Sequence, residues 1–235
     1  GSGARNTVRQ LYAPEWNDIS RNYPRATRSN LDRLVDIGPD DVNGKIVLLH
    51  GPPGTGKTTF LVTLGKAWSK WCDIDIVIDP EMLFGIPDYM ITAFLRNTST
   101  SIFDDDEWEE KPANKWRMIV LEDTDELISA DAHAKSGQAM SRLLNLTDGM
   151  LGKGANLILA LTTNEDLSKL HPAITRPGRC LMNIEMPKFD IREGREWLGD
   201  SASIVTDHTL AELYELQAGA DNNSAKGTVK PGQYL

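Results

Sequence analysis

With only two cysteines in 235 residues, Cys72 and Cys180, the chain cannot build a disulfide framework or a four-thiolate zinc site. It also lacks a long hydrophobic run: the aliphatic stretches at 46–49 and 157–161 are far too short to cross a bilayer. Its four histidines, at positions 50, 133, 171 and 208, show no metal-ligand spacing. A basic stripe is missing too. Arg21, Arg25, Arg28 and Arg33 form a loose cluster that lends only weak support to polyanion binding. No secretory leader is legible, so the expected setting is the reducing cytosol.

What is present is an ordinary apolar fraction of 40%, enough to bury a sizeable core at this length. The formal charge is −9, from 25 basic and 34 acidic side chains. Six of those acids crowd into residues 104–110, and without them the remainder carries −3. Such a block repels itself and reads as a solvated loop. The six tryptophans are scattered, which fits core or interface positions rather than a base-stacking platform.

Hydrophobic period and punctuation suggest five strands, at 45–50, 73–78, 116–121, 156–163 and 180–186. Helices are expected at 30–35 with Asn30 as N-cap, and at 57–71, 89–96, 136–151, 191–198 and 209–217. Alternating strand and helix argue for a three-layer α/β fold around a mainly parallel five-stranded sheet. The expected organisation is an N-terminal segment (1–41), a core (42–187), a short helical lid (188–217) and a flexible tail (218–235).

Gly51-Pro52-Pro53-Gly54-Thr55-Gly56-Lys57-Thr58, followed by Thr59, fits the phosphate-binding pattern G-x4-G-K-[ST]. Its glycines let several backbone N–H groups point into one concavity, and the helix that follows adds its positive N-terminal end. Lys57 would then reach the β- and γ-phosphates, and Thr58 would offer its hydroxyl to Mg²⁺. A second element, Met118-Ile119-Val120-Leu121-Glu122-Asp123, is an apolar strand that delivers two adjacent carboxylates. One acid can help hold the metal while the other orients the attacking water. Glu122 lies 65 residues beyond Lys57, a spacing that permits their strands to be close neighbours.

In order, Gly51 to Thr58, Leu121-Glu122-Asp123-Thr124-Asp125, Thr162-Thr163-Asn164 and the segment from Leu170 to Arg179 resemble the AAA ATPases of the AAA+ superfamily. The resemblance covers roughly residues 42–187. In its Glu-Asp acid pair it is most similar to the subfamily of the mitochondrial Rieske-protein translocase. It implies that ATP and Mg²⁺ are the cofactors, with Thr58 and Glu122 at the metal and Asp123 at the water. By the same resemblance Asn164 is the γ-phosphate sensor, and Arg176 and Arg179 are fingers that enter the neighbouring subunit of a hexamer. A permanently charged, forked guanidinium suits that task.

The pattern departs from the family in three places. The acid pair is inverted, so the shorter Asp123 must orient the water. His171 stands where Asp is usual. Few residues remain for a lid, and no sensor-2 arginine can be assigned. Phe84 occupies the region of a pore loop, although a Leu-Phe pair is more often core. Tyr23 and its surroundings are the candidate base pocket. The resemblance implies an ATPase that remodels or translocates a protein partner. The alternatives are a nucleic-acid-dependent motor and an ATP-controlled interaction module that hydrolyses little.

Overall fold

A computed structural model describes residues 12–77, 115–125, 156–169, 174, 176, 178–199 and 204–224. The aliphatic runs form β1 (Ile46–His50), β2 (Cys72–Val77), β3 (Trp116–Leu121), β4 (Leu157–Thr163) and β5 (Cys180–Glu185). All pair in parallel, in the spatial order β2-β3-β4-β1-β5. Every residue of β1 and of β4 is buried, so both faces of the sheet centre are covered, as an α/β sandwich requires. That double burial is why these strands read as unbroken aliphatic runs rather than alternating ones. Each fully buried Leu or Ile among them contributes about 1.5–3 kcal/mol.

The helices among the described residues are α1 (Trp16–Ile19), α2 (Arg25–Val35), α3 (Lys57–Ala67), α4 (Ile191–Leu198) and α5 (Leu210–Ser224). A 3-10 turn, Ser20–Asn22, joins α1 towards α2. Asn30 is not an N-cap: α2 starts directly after Pro24 and buries Thr27, Leu31 and Leu34 along one stripe. Thr27 belongs to that stripe because its hydroxyl donates to the Glu185 carbonyl at the end of β5, 3.0 Å away. Helix α3 is shorter than the sequence suggests. Trp68 caps it, fully buried, with its indole N–H on the Val35 carbonyl, and Trp71 falls in the turn beyond. Helix α5 runs to Ser224, past the expected end at residue 217.

Edge strand β2 alternates acid and aliphatic residues because its acids are answered from the neighbouring strand. Lys115 pairs with Asp73 at 2.8 Å, and Arg117 pairs with Asp75.

The C-terminal helices α4 and α5 pack through Phe189, Leu210 and Leu213, flanked by Trp197 and Leu198. An antiparallel bridge between Phe189 and His208 closes the pair. Both helices start on a side-chain cap. The Asp190 carboxylate accepts from the Glu193 N–H at 2.7 Å. At α5, the Thr209 N–H donates to Glu212 and the Glu212 N–H donates to the Thr209 hydroxyl, a reciprocal capping box.

Among the described residues no helix is long and apolar enough to cross a membrane. The expected helices at 89–96 and 136–151, the acidic run, Phe84 and His171 lie outside the described residues.

Candidate nucleotide site

Strand β1 ends at His50 and the chain turns at once into the glycine-rich loop, which closes on α3. The loop's backbone is one that side chains rarely adopt: φ is +139° at Gly51, +78° at Gly54 and +88° at Gly56. At Gly51 a Cβ would lie 2.3 Å from the Met186 carbonyl oxygen, so only glycine fits. The Thr55 hydroxyl ties the loop to itself by donating to the Pro52 carbonyl at 2.9 Å. Pro53, Gly54, Thr58 and Thr59 remain exposed, while Gly51, Thr55 and Lys57 are buried. The result is a backbone hollow with an accessible rim at a helix N-terminus, suited to phosphoryl oxygens.

Lys57 reaches back into this hollow. Its ammonium donates to the Gly51 carbonyl at 2.7 Å, the Pro52 carbonyl at 2.9 Å and the Asn164 side-chain oxygen at 2.8 Å. Three acceptors match the three protons of an ammonium, so an arriving phosphate must exchange with at least one of them.

Strand order explains the third partner. The loop strand β1 and the acid strand β3 are not hydrogen-bonded neighbours, because β4 lies between them. The residue at the end of β4, Asn164, is therefore delivered midway between Lys57 and the acids. Asp125 completes the link. Its carboxylate accepts from the Thr163 hydroxyl, from the Asn164 backbone N–H at 2.7 Å and from the Asn164 side-chain amide at 3.1 Å. Burial works to raise the Asp125 carboxyl, but those donors and the nearby Lys57 outweigh it and hold it below the ordinary carboxylate range. Asp125 thus stays ionised at neutral pH. Sequence reasoning assigned it no role, and the available signal was an acid two residues beyond the pair.

Of the acid pair, Glu122 is half-buried, and its Oε1 is buried without a hydrogen-bond partner among the described residues. Asp123 is exposed and has a left-handed backbone, φ +50°, which Asp tolerates better than most residues. The turn is clamped by Thr162. Its hydroxyl accepts from the Asp123 N–H at 3.1 Å, and its carbonyl accepts from the Thr124 N–H and hydroxyl at 3.0 and 2.9 Å.

The remaining candidates are the two arginines and Tyr23. Arg176 is exposed, and Arg179 precedes β5, where its carbonyl accepts from the Lys45 and Ile46 N–H groups. That is the start of β1, whereas the glycine loop follows its end. Five residues of strand, about 16 Å, separate the two levels. The structure does not bring these arginines to the chain's own phosphate hollow. Tyr23 is not an open wall for a base either. It is 1% exposed, its ring packs against Trp16 and Phe60, and its hydroxyl donates to the Gly56 carbonyl at 3.1 Å. It buttresses the end of the loop.

Burial, opposed by Asp123 and Asp125, holds the Lys57 ammonium below the ordinary lysine value of 10.5. A triphosphate needs the charged form, so ATP affinity should decline as pH rises through a value below 10.5. Calorimetric titrations from about pH 7 to 11 will show this. An affinity that shows no decline by pH 10.5 contradicts the assignment of Lys57 to the phosphates.

A glycine loop ending on a buried lysine, an asparagine just past the end of the central strand and paired acids after the next strand define a P-loop nucleoside triphosphatase. The chain belongs to the "ATPase family associated with various cellular activities (AAA)", which matches residues 47–188. This domain's reaction is the hydrolysis of ATP. The chain is 31% identical, over 81% of its length and 47% of the relative's, to proteasome-activating nucleotidase 1 of Haloferax volcanii. It is 28% identical to a vesicle-fusing ATPase of Arabidopsis thaliana, over 90% of this chain and 28% of that one. A "Probable mitochondrial chaperone bcs1" of Schizosaccharomyces pombe is 26% identical, over 74% of this chain and 40% of the relative. The chain thus spans less than half the length of these relatives.

Proposed function

We propose that this chain is the Mg²⁺-dependent motor domain of a cytosolic ring-forming ATPase, a hexamer, that remodels or translocates a protein partner. The observation that carries this reading is the continuous network Lys57–Asn164–Asp125, which joins phosphate loop, sensor strand and acid strand beyond the C-terminal ends of the three inner strands. The named roles of two relatives, activating a proteasome and fusing vesicles, support a protein as the partner. A nucleic-acid partner has less support, because two arginines of the N-terminal cluster have protein partners. Arg25 pairs with Glu196 at 2.7 Å and Arg28 donates to the Tyr23 carbonyl at 3.2 Å.

Mg²⁺ prefers hard oxygen donors and keeps several waters, so it needs few protein ligands. The hydroxyl of exposed Thr58 and the Glu122 oxygen that has no hydrogen-bond partner among the described residues fit that role. When bound, the ion would neutralise charge on the transferring phosphoryl group. The chain's own residues supply the rest. The loop N–H groups and Lys57 hold the phosphates, Asn164 stands at the γ-phosphate side, and Asp123 orients the water.

Arg176 and Arg179 act in trans in this reading, which their distance from the chain's own loop favours. Subunits carrying Arg176→Ala should be nearly inactive alone. Mixed with subunits that keep Arg176 but carry Asp123→Asn, they should recover activity as joint sites form. Light scattering should show growth from monomer to closed ring on adding ATP. A mixture no more active than its parts, with mass unchanged by ATP, contradicts trans action and the ring.

A further inference from the structure

The segment before the phosphate loop is wedged between it and the lid, and one side chain touches both lid helices. Asn22 is 7% exposed. Its side-chain oxygen accepts from the Trp197 indole N–H on α4 at 3.1 Å, and its amide donates to the Tyr214 hydroxyl on α5 at 3.0 Å. Trp197 and Tyr214 pack edge to face, their ring centroids 4.8 Å apart, so both converge on the same carboxamide. The next residue, Tyr23, donates its hydroxyl to the Gly56 carbonyl, and a Cβ on Gly56 would lie 3.2 Å from the Tyr23 ring. Gly56 precedes Lys57, and its carbonyl also accepts the Phe60 N–H, opening the hydrogen-bond ladder of α3.

The loop has a second, direct contact with the lid. The Ala211 N–H, at the start of α5, donates to the Gly54 carbonyl at 3.0 Å. The lid therefore grips the loop at two points, directly at Gly54 and through Asn22 and Tyr23 at Gly56. Two attachments fix orientation as well as distance. Without the second one, α5 can pivot on Ala211, and the segment carrying Tyr23 is held only to α4, where the Arg25 N–H and guanidinium donate to Glu193 and Glu196 at 2.9 and 2.7 Å.

We propose that Asn22 is a positioning residue that locks the lid to the phosphate loop, so that the loop is held ready for a nucleoside triphosphate. The inference rests on the ATPase reading for its effect on nucleotide, but the mechanical link is independent of it. A carboxamide is suited to the position, because it offers an acceptor and a donor at one site. Buried polar groups left without partners are costly, so replacing Asn22 should disturb both aromatic partners.

Asn22→Leu removes both hydrogen bonds and keeps the branched shape with added bulk. Tyr214→Phe removes one and keeps the ring, at a residue that is 43% exposed and tolerant of the change. In the 235-residue chain, Asn22→Leu should raise the KM for ATP by roughly tenfold and leave kcat within about twofold. The acid pair, the sensor and Lys57 are untouched by it. Tyr214→Phe should shift KM in the same direction by a smaller factor, and it decides the matter if Asn22→Leu fails to fold. A merely structural asparagine would lower the melting temperature and leave KM alone, and that result overturns the proposal.

Hydrogen exchange without nucleotide provides the separate test. The Ala211 and Phe60 amides should lose protection in both variants while β4 keeps its own. Unchanged protection at Ala211 and Phe60 overturns the link even if ATP binding is normal. A wild-type chain that binds no ATP would sink the ATPase reading, and the exchange result would still decide whether Asn22 couples lid to loop.

Discussion

Replacing Lys57 with Met is expected to lower ATP affinity by at least about a hundredfold, or ~3 kcal/mol, on the scale of charge-assisted hydrogen bonds lost from a buried site. The ammonium is the one cation among the described residues seated inside the glycine loop, where it makes three hydrogen bonds. Met has similar length and would fill the channel, so the loop need not collapse. What disappears is the charge facing the phosphates and the tether on Asn164. Isothermal calorimetry with ATP checks the expectation, and a melting curve shows whether the variant is folded. A folded variant with undiminished affinity would detach the loop from nucleotide binding and remove the basis of the functional reading.

Asp123→Asn is expected to leave ATP binding within about threefold and to cut turnover by about 10²–10⁴-fold, the usual worth of a positioned proton acceptor. The substitution isolates the carboxylate. Asn is as tolerant as Asp of the left-handed backbone at φ +50°, and the backbone N–H that donates to Thr162 is retained. The turn should therefore keep its shape while the water loses its base. Single-turnover phosphate release measures the chemical step directly. Unchanged release would move the water-orienting role to another carboxylate, and Asp125 is a poor substitute because its oxygens are engaged by Thr163 and Asn164. Slow release in the unmodified chain would favour instead an ATP-controlled interaction module, for which the short Asp123 was the sequence signal.

The sheet was legible because its signal is local. A strand buried on both faces must be a short aliphatic run, and β1 and β4 are such runs. The glycine loop was legible for a similar reason, since positive φ at Gly54 and Gly56 demands glycine in the sequence itself. Helix α2 was half hidden. Its buried stripe includes Thr27, a polar residue whose place is explained only by a carbonyl on distant β5. The tryptophans at 68 and 71 have helical spacing but straddle a turn, where they pack with ring centroids 4.7 Å apart. The Lys57–Asn164 bond joins residues 107 apart in sequence, and Asn22 meets residues on two helices far along the chain. No window of local sequence carries such contacts. Motif order singled out Lys57, the acid pair and Asn164, while the hydrogen bonds that link Lys57, Asn164 and Asp125 depend on strand order.

All five strands run the same way, so the phosphate hollow and the Arg176–Arg179 turn are unlike ends of one polar object. In the proposed assembly each copy presents a socket on one side and a plug on the other, which makes the contact heterologous. Such contacts propagate in a single sense and stop only when the rotation between copies closes. A copy without its plug would still receive a neighbour and would silence just the site it was meant to complete, so its damage would be felt in one direction around the circle.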